Sequence, residues 1–231
     1  MNKKNKISVI IPSAGFGKRM KNKVPKQFLH LNRIPILVHT IKKFETCKFV
    51  DEIIIVTQKK IISKVEKLIS KYCLKKVSHI VIGGKERQDS VKNALYFLKK
   101  NPPDVVLIHD AVRPFTSQNL LKKIFKEIEN NNGVVPVISF KDTIAKIDSK
   151  GKIETHNRDE FKIVQTPQAF KFKILLKAFE NAYQNNFIGT DESSLVLKLG
   201  YKIKIMEGEE TNFKITTQND FMIAKKVFSQ L

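Results

Sequence analysis

Short apolar runs alternate along the chain with longer segments whose apolar residues recur at helical spacing. The runs ISVII (7–11), EIIIV (52–56), HIVI (79–82), VVLIH (105–109), GVVPV (133–137) and KIKIM (202–206) read as strands. They are short and nearly continuously apolar, the pattern of strands covered on both faces. Helical faces are formed by Ile61, Val65, Leu68, Ile69 and Tyr72, by Val91, Ala94, Leu95 and Leu98, and by Leu120, Leu121, Ile124, Phe125 and Ile128. Two later stripes follow the same period: Phe172, Leu175, Leu176 and Phe179, then Phe221, Ala224, Val227, Phe228 and Leu231. This βαβ rhythm predicts an α/β fold, a Rossmann-like and mainly parallel sheet flanked by helices, with ligands at the carboxyl ends of the strands.

One stretch breaks the rhythm. Residues 140–165, FKDTIAKIDSKGKIETHNRDEFKIVQ, alternate polar and apolar positions around Asp148, Ser149, Lys150 and Gly151, which predicts a β-hairpin turning at DSKG. No linker, internal repeat or charge-block boundary divides the chain. The expectation is a single domain over 1–231 with an inserted β-arm at 140–165. Such an arm is either a surface excursion or a device that reaches a partner subunit or caps a site.

Composition narrows the class. A hydrophobic fraction of 42% over 231 residues suffices for an ample core and argues against disorder. No apolar stretch approaches the roughly 20 residues of a membrane span, and the first residues do not fit a signal peptide, so the expected location is the cytoplasm, with no membrane partner. Cys47 and Cys73 are isolated, which supports neither a zinc site nor a disulfide framework. The net charge of +21 raises a basic nucleic-acid-binding module as one reading. The lysines, however, are spread over the polar sides of amphipathic segments, and what they support is steering of anionic ligands, nucleotides included.

Three segments carry candidate chemistry. The first, SAGFGKRMKNKVPKQF, follows the first strand, where an α/β fold keeps nucleotide phosphates. It is neither a Rossmann fingerprint, because Met20 stands where a third glycine belongs, nor a Walker A loop, because Pro12 and Arg19 occupy its Gly and Ser/Thr positions. Lys18, Arg19, Lys21, Lys23 and Lys26 crowd together without an acid, an arrangement that calls for an anion. In the second, IGGKERQDSV, Gly83 and Gly84 follow a strand and Ser90 opens a helix. In the third, HDAVRPF, Asp110 and Arg113 follow the fourth strand, where a carboxylate can hold Mg²⁺ and an arginine can meet a phosphate. His109 reads as a packed strand histidine.

No Ser/His/Asp set, metal-ligand spacing or acid pair emerges. A phosphate nucleophile needs none: it is mostly dianionic at neutral pH, so catalysis reduces to aligning two anions and stabilising transition-state charge with Lys, Arg and Mg²⁺.

These segments, together with DTIAKI, NRDEFKIVQTPQAF, TDESSLV and NFKITTQNDF, resemble in content and order the family of 2-C-methyl-D-erythritol 4-phosphate cytidylyltransferases over nearly the whole chain. The resemblance implies transfer of CMP from CTP to methylerythritol phosphate with Mg²⁺ and release of pyrophosphate, in the non-mevalonate isoprenoid pathway. It assigns Ala14, Gly15, Phe16, Gly17, Lys18 and Ala111 to CTP, with Arg19 and Lys26 as transition-state stabilisers. Gly84, Arg87 and Ser90 would meet the cytosine and ribose, with Lys85 standing where some relatives carry an acid. Asp110 would be the metal-site carboxylate and Arg113 a contact to the second substrate. Arg158 and Lys214 would position the acceptor phosphate, with Thr143, Thr166 and Thr190 adding hydroxyls. The resemblance also implies a homodimer in which the arm of one subunit completes the site of the other. A sister family that uses ribitol 5-phosphate shares HDAVRPF and QTPQ; GFGKRM and TDESSLV favour methylerythritol phosphate.

Overall fold

The computed structural model describes residues 5–15 and 24–229. Phe16, Gly17, Lys18, Arg19 and Leu231 lie outside the described residues. The first strand, β1 (Ile7–Pro12), leads through two short strands, β2 (His30–Leu31) and β3 (Ile34–Pro35), into α1 (Ile36–Glu45). Then come β4 (Glu52–Thr57), α2 (Ile62–Lys71), β5 (Val77–Ile82), α3 (Arg87–Leu98), β6 (Val105–Ile108), α4 (Gln118–Ile128) and β7 (Gly133–Ser139). The second half holds β8 (Ile144–Ile147), β9 (Ile153–His156), β10 (Lys162–Val164), β11 (Gln168–Lys171), α5 (Phe172–Gln184), α6 (Glu192–Lys198), β12 (Lys204–Glu207) and α7 (Gln218–Phe228).

Among the described residues the main sheet has eight strands. β1 lies between β4 and β6, parallel to both, and β5 extends the sheet beyond β4. β11 runs antiparallel between β6 and β7. β10 and β12 both pair with Val137, so they occupy opposite sides of β7, β10 antiparallel and β12 parallel. The sheet is thus mainly parallel and is interrupted by β10 and β11. The chain leaves β1 toward β4 and β5, then crosses back to β6 on the other side of β1. That reversal of strand order opens a crevice above the carboxyl ends of β1 and β6.

Alternation along the strands builds two cores. Val9 and Ile11 face Leu37, Ile41 and Phe44 of α1, Val65 of α2, and Leu120, Leu121 and Ile124 of α4. Ile10, Ile54 and Ile108 face Val91 and Leu95 of α3, Leu175 and Phe179 of α5, and Leu195 and Val196 of α6. A third cluster seats α7, through Phe221 and Ala224, on Leu31, Ile36, Val112 and Phe115. Among the described residues no helix is long and apolar enough to cross a membrane.

Several features differ from, or add to, what the apolar pattern predicts. α1 carries no separate apolar stripe because seven of its ten residues are buried, including His39 and Thr40. The last parallel strand begins at Lys204 rather than 202, and the short β11, which follows a cis Thr166–Pro167 bond, was not apparent from the apolar pattern. The hairpin turns where expected, with Gly151 at φ +81°, a left-handed conformation that glycine adopts without steric cost. It is, however, narrower than 140–165: the free-standing ribbon is β8 and β9, and Lys162–Val164 returns to the main sheet.

Candidate active site

The crevice at the strand reversal is a cleft of about 840 Å³. Its walls come from the end of β1 (Ser13, Ala14, Gly15), from Lys26 and Gln27, from the start of α3 (Gly84 to Arg87, and Ser90), from the end of β6 (Asp110 to Val112) and from Lys214 and Thr216. Sequence segments remote from one another along the chain therefore meet at one place.

Local chemistry fixes each wall. Ser13 continues the ladder by donating its N–H to Val56 O at 2.7 Å, and Gln27 Nε2 donates to Ser13 O (2.8 Å) and Gly15 O (3.2 Å). Gln58 Nε2 donates to Ala14 O at 2.5 Å. Two glutamines thus hold the carbonyls of the β1 loop. Glu86 and Asp89 form a reciprocal capping box that starts α3, and Gly84 donates its N–H to Ser90 Oγ at 3.2 Å. A side chain at Gly83 would come within 2.8 Å of both Ala14 Cβ and Ser90 Oγ, so glycine lets the two loops close against each other.

Asp110 is the electrostatic centre. Its Oδ2 receives Arg113 Nε and Lys214 Nζ, each at 3.1 Å, while Arg87 Nε lies 3.7 Å from Oδ1. Burial pushes its pKa up, but Lys214, Arg87 and Arg113 together hold it well below the usual carboxylate range, so it is ionised at neutral pH. The Arg87 guanidinium also binds buried Glu192 with both terminal nitrogens, at 2.6 and 3.0 Å. Burial acts to lower the pKa of Arg87, and the charges of Glu192 and Asp110 overcome it and raise the value.

The wall behind Asp110 is a hydrogen-bond network. Thr166 Oγ1 accepts the Asp110 N–H at 3.1 Å and lies 3.0 Å from His109 Nδ1. Burial pushes His109 down to about 4, so its ring is neutral at physiological pH, in keeping with a packed histidine. Asn212 donates to Thr166 O at 2.8 Å and accepts from Thr116 at 2.9 Å, and its carbonyl accepts Arg113 Nη1 at 2.7 Å. Ile215 N–H donates to Val112 O at 3.0 Å, and Lys26 Nζ reaches Ile215 O at 3.1 Å. Segment 212–216 is thereby tied to the end of β6, and Lys214 and Lys26 face the same cleft.

Of the sequence candidates, Ala14, Gly15, Lys26, Gly84, Arg87, Ser90, Asp110, Ala111 and Lys214 line the cleft. Arg113 and Thr166 are buried behind Asp110, at 7% and 6% exposure, and act on it rather than open into the space. Thr143, Arg158 and Thr190 are exposed and are not among the lining residues; Arg158 donates to Lys141 O at 2.7 Å at the base of the arm. Phe16, Gly17, Lys18 and Arg19 fall outside the described residues. Sequence reasoning missed Gln27, Gln58, Glu192 and Asn212. Only Gln27 had a local signal, lying one residue after Lys26.

A divalent cation would find no cage of protein ligands: the described residues contain no group of three or more His, Cys, Asp or Glu able to hold one. Asp110 does fit the other mode, one carboxylate oxygen combined with substrate phosphates. Its Oδ2 is engaged by two cations, whereas Oδ1 has Arg87 only at 3.7 Å.

Comparison with known proteins agrees with this geometry. Residues 7–230 match the family model described as 2-C-methyl-D-erythritol 4-phosphate cytidylyltransferase. The chain is similar to the enzyme of that name from Clostridium botulinum (strain 657 / Type Ba4), at 40% identity over 98% of this chain and 99% of the relative. It is likewise similar to that of Bacillus cytotoxicus, at 38% identity over 94% of this chain and 96% of the relative. Its fold superposes with a TM-score of 0.85 and 31% identity on the 4-diphosphocytidyl-2C-methyl-D-erythritol synthase of Anaerococcus prevotii, over 98% of this chain and 100% of that one. The chain belongs to the 2-C-methyl-D-erythritol 4-phosphate cytidylyltransferase family.

Proposed function

We infer that the cleft transfers CMP from CTP to 2-C-methyl-D-erythritol 4-phosphate, giving 4-CDP-2-C-methyl-D-erythritol and pyrophosphate. The observation that carries this reading, beside family membership, is the switch-point cleft, lined by Lys26, in which Lys214 and Arg87 meet around the buried carboxylate of Asp110. An oxygen of the acceptor phosphate attacks the α-phosphorus of CTP, and the bond from that phosphorus to the oxygen bridging it to the β-phosphate breaks. The electron pair leaves with pyrophosphate. A dianionic acceptor needs no base, which accounts for a site whose one buried histidine is neutral and bonded away from the cleft.

The roles of the lining residues accord with their position in the cleft, and those of the others rest on family resemblance. Ala14, Gly15, Gly84, Ser90 and Ala111 form the nucleotide wall, with Phe16, Gly17 and Lys18 assigned to it by family resemblance. Lys26 and Arg19 stabilise charge on the transferring and leaving phosphates, the electrostatic work that dominates phosphoryl chemistry. Lys214 and Arg158 hold the acceptor phosphate, assisted by Thr143 and Thr190, while Arg113 and Thr166 brace Asp110 from behind. Asp110 would hold a Mg²⁺ brought with the nucleotide, which would supply charge neutralisation at the phosphates.

We read the arm as the dimer element. It exposes Ile147 and Ile153 (65% and 64%), and Phe161, Ile163 and Val164 beside it are also exposed. Apolar side chains gathered so densely favour burial against a second copy. Arg158 would then enter the partner's cleft. The expected compartment is the cytoplasm. An assay with CTP and each sugar phosphate tests the function: methylerythritol phosphate is the expected acceptor, and a preference for ribitol 5-phosphate would overturn the assignment.

A further inference from the structure

Arg87 and Glu192 are the first residues of α3 and α6 and stand 105 positions apart in the chain. They join two sides of the site: α3 opens the nucleotide wall, and α6 follows the segment that carries Thr190. The same seam holds Gln88 Nε2 to Phe187 O at 3.0 Å, Gly189 N–H to Gln88 Oε1 at 2.9 Å, and the Tyr183 hydroxyl to Asp89. It is a rigid junction around one guanidinium.

Two carboxylates compete for that guanidinium. Glu192, with 1% of its side chain exposed, takes both terminal nitrogens at 2.6 and 3.0 Å. Asp110 Oδ1 faces only Nε, at 3.7 Å, beyond hydrogen-bonding distance. A guanidinium is planar and presents its donors in a fixed fork, so whichever carboxylate holds the fork sets what the other receives. Glu192 is too deeply buried to touch a substrate and acts through Arg87.

We propose that Glu192 is a positioning residue for cytidylyl transfer: by holding the Arg87 fork it prevents Arg87 from chelating Asp110, and so keeps Oδ1 open to the divalent cation that the nucleotide brings. The proposal rests on the reading of the cleft as the CTP site. A purely structural ion pair would lower stability when broken and leave cation affinity unchanged. A positioning pair weakens cation affinity, and removal of the competing fork restores it.

The test measures Mn²⁺ binding to the protein–CTP complex at saturating CTP by the enhancement of water-proton relaxation over a protein-free Mn²⁺–CTP control. The wild-type protein, Glu192→Gln and the double variant Arg87→Met/Glu192→Gln are compared, with melting temperatures recorded alongside. Glu192→Gln keeps the shape and removes the charge, and Mn²⁺ affinity should fall about 10-fold or more, as for other groups that orient metal ligands. The double variant should recover most of that loss. Glu192→Asp, which keeps the charge but shortens its reach, serves the same comparison if the Gln variant does not fold, and it should bind Mn²⁺ more weakly than wild type. Wild-type affinity in Glu192→Gln, or in Glu192→Asp where that stands in, overturns the proposal, as does a double variant no tighter than Glu192→Gln. A wild-type protein that binds no Mn²⁺ with CTP overturns the reading of the cleft and the proposal with it.

Discussion

Asp110→Asn removes one charge from beneath three cations while keeping the side-chain volume. In the wild type Arg113 Nε and Lys214 Nζ each lie 3.1 Å from Oδ2, and Arg87 Nε lies 3.7 Å from Oδ1. Removal of one partner from a buried ion pair costs about 3–5 kcal/mol, because the surviving charge stays desolvated. Arg113 is as buried as Asp110, but Lys214 and Arg87 are about one-third exposed, and solvent screens their share. The lower end, about 3 kcal/mol, is therefore expected. At roughly 2–4 °C per kcal/mol for a chain of this size, the melting temperature should drop by about 6–12 °C at pH 7. The folded-state pKa of Asp110 is depressed, so its stabilisation is present above the unfolded-state value of about 3.9 and is lost as pH falls below it. Scanning calorimetry of both proteins at pH 7, 5 and 3 should show a gap that persists to pH 5 and narrows at pH 3. An Asn variant as stable as wild type at pH 7, or a gap independent of pH, would refute the reasoning.

Lys26→Ala should lower turnover about 100-fold or more, the scale of removing one preorganised charge-stabilising donor, with the melting temperature nearly unchanged; steady-state kinetics beside thermal melts check this. With the arm as the proposed dimer element, equal mixtures of the Lys26→Ala and Arg158→Ala variants should regain activity that neither has alone, because one site of a mixed pair would be intact. A confirmed mixed dimer that stays inactive would place Arg158 in its own subunit's site. Burial holds His109 near 4 in the fold against about 6.5 when unfolded, so its contribution is full above pH 6.5 and is lost as pH falls toward 4. Urea titrations across that window should show a steeper loss of stability for the wild type than for His109→Asn.

The fold was largely legible because its strands are short Ile/Val runs and most helices carry one apolar stripe. Elements escaped where these signals fail. α1 is buried on nearly every side, α6 has only seven residues, and β11 owes its place to pairing with β6 and β7 rather than to a long apolar run. The glycine loop, GGKERQDSV and HDAVRPF marked the cleft because glycines, cations and a carboxylate follow directly after strands. Glu192 and Asn212 were not assigned, because their bonds reach Arg87 and Thr116 across 105 and 96 positions and no local spacing encodes them. Arg158 and Thr143 are exposed on and beside the arm, where a single chain offers them no cleft.

The central claim is that this cleft joins the α-phosphate of CTP to the phosphate of methylerythritol phosphate. Phosphorus-31 nuclear magnetic resonance of the complete reaction tests it directly. A new diphosphate diester and free pyrophosphate should appear in equal amounts as both substrates disappear. Cytidine monophosphate appearing while methylerythritol phosphate stays intact, or no consumption of CTP, would contradict it.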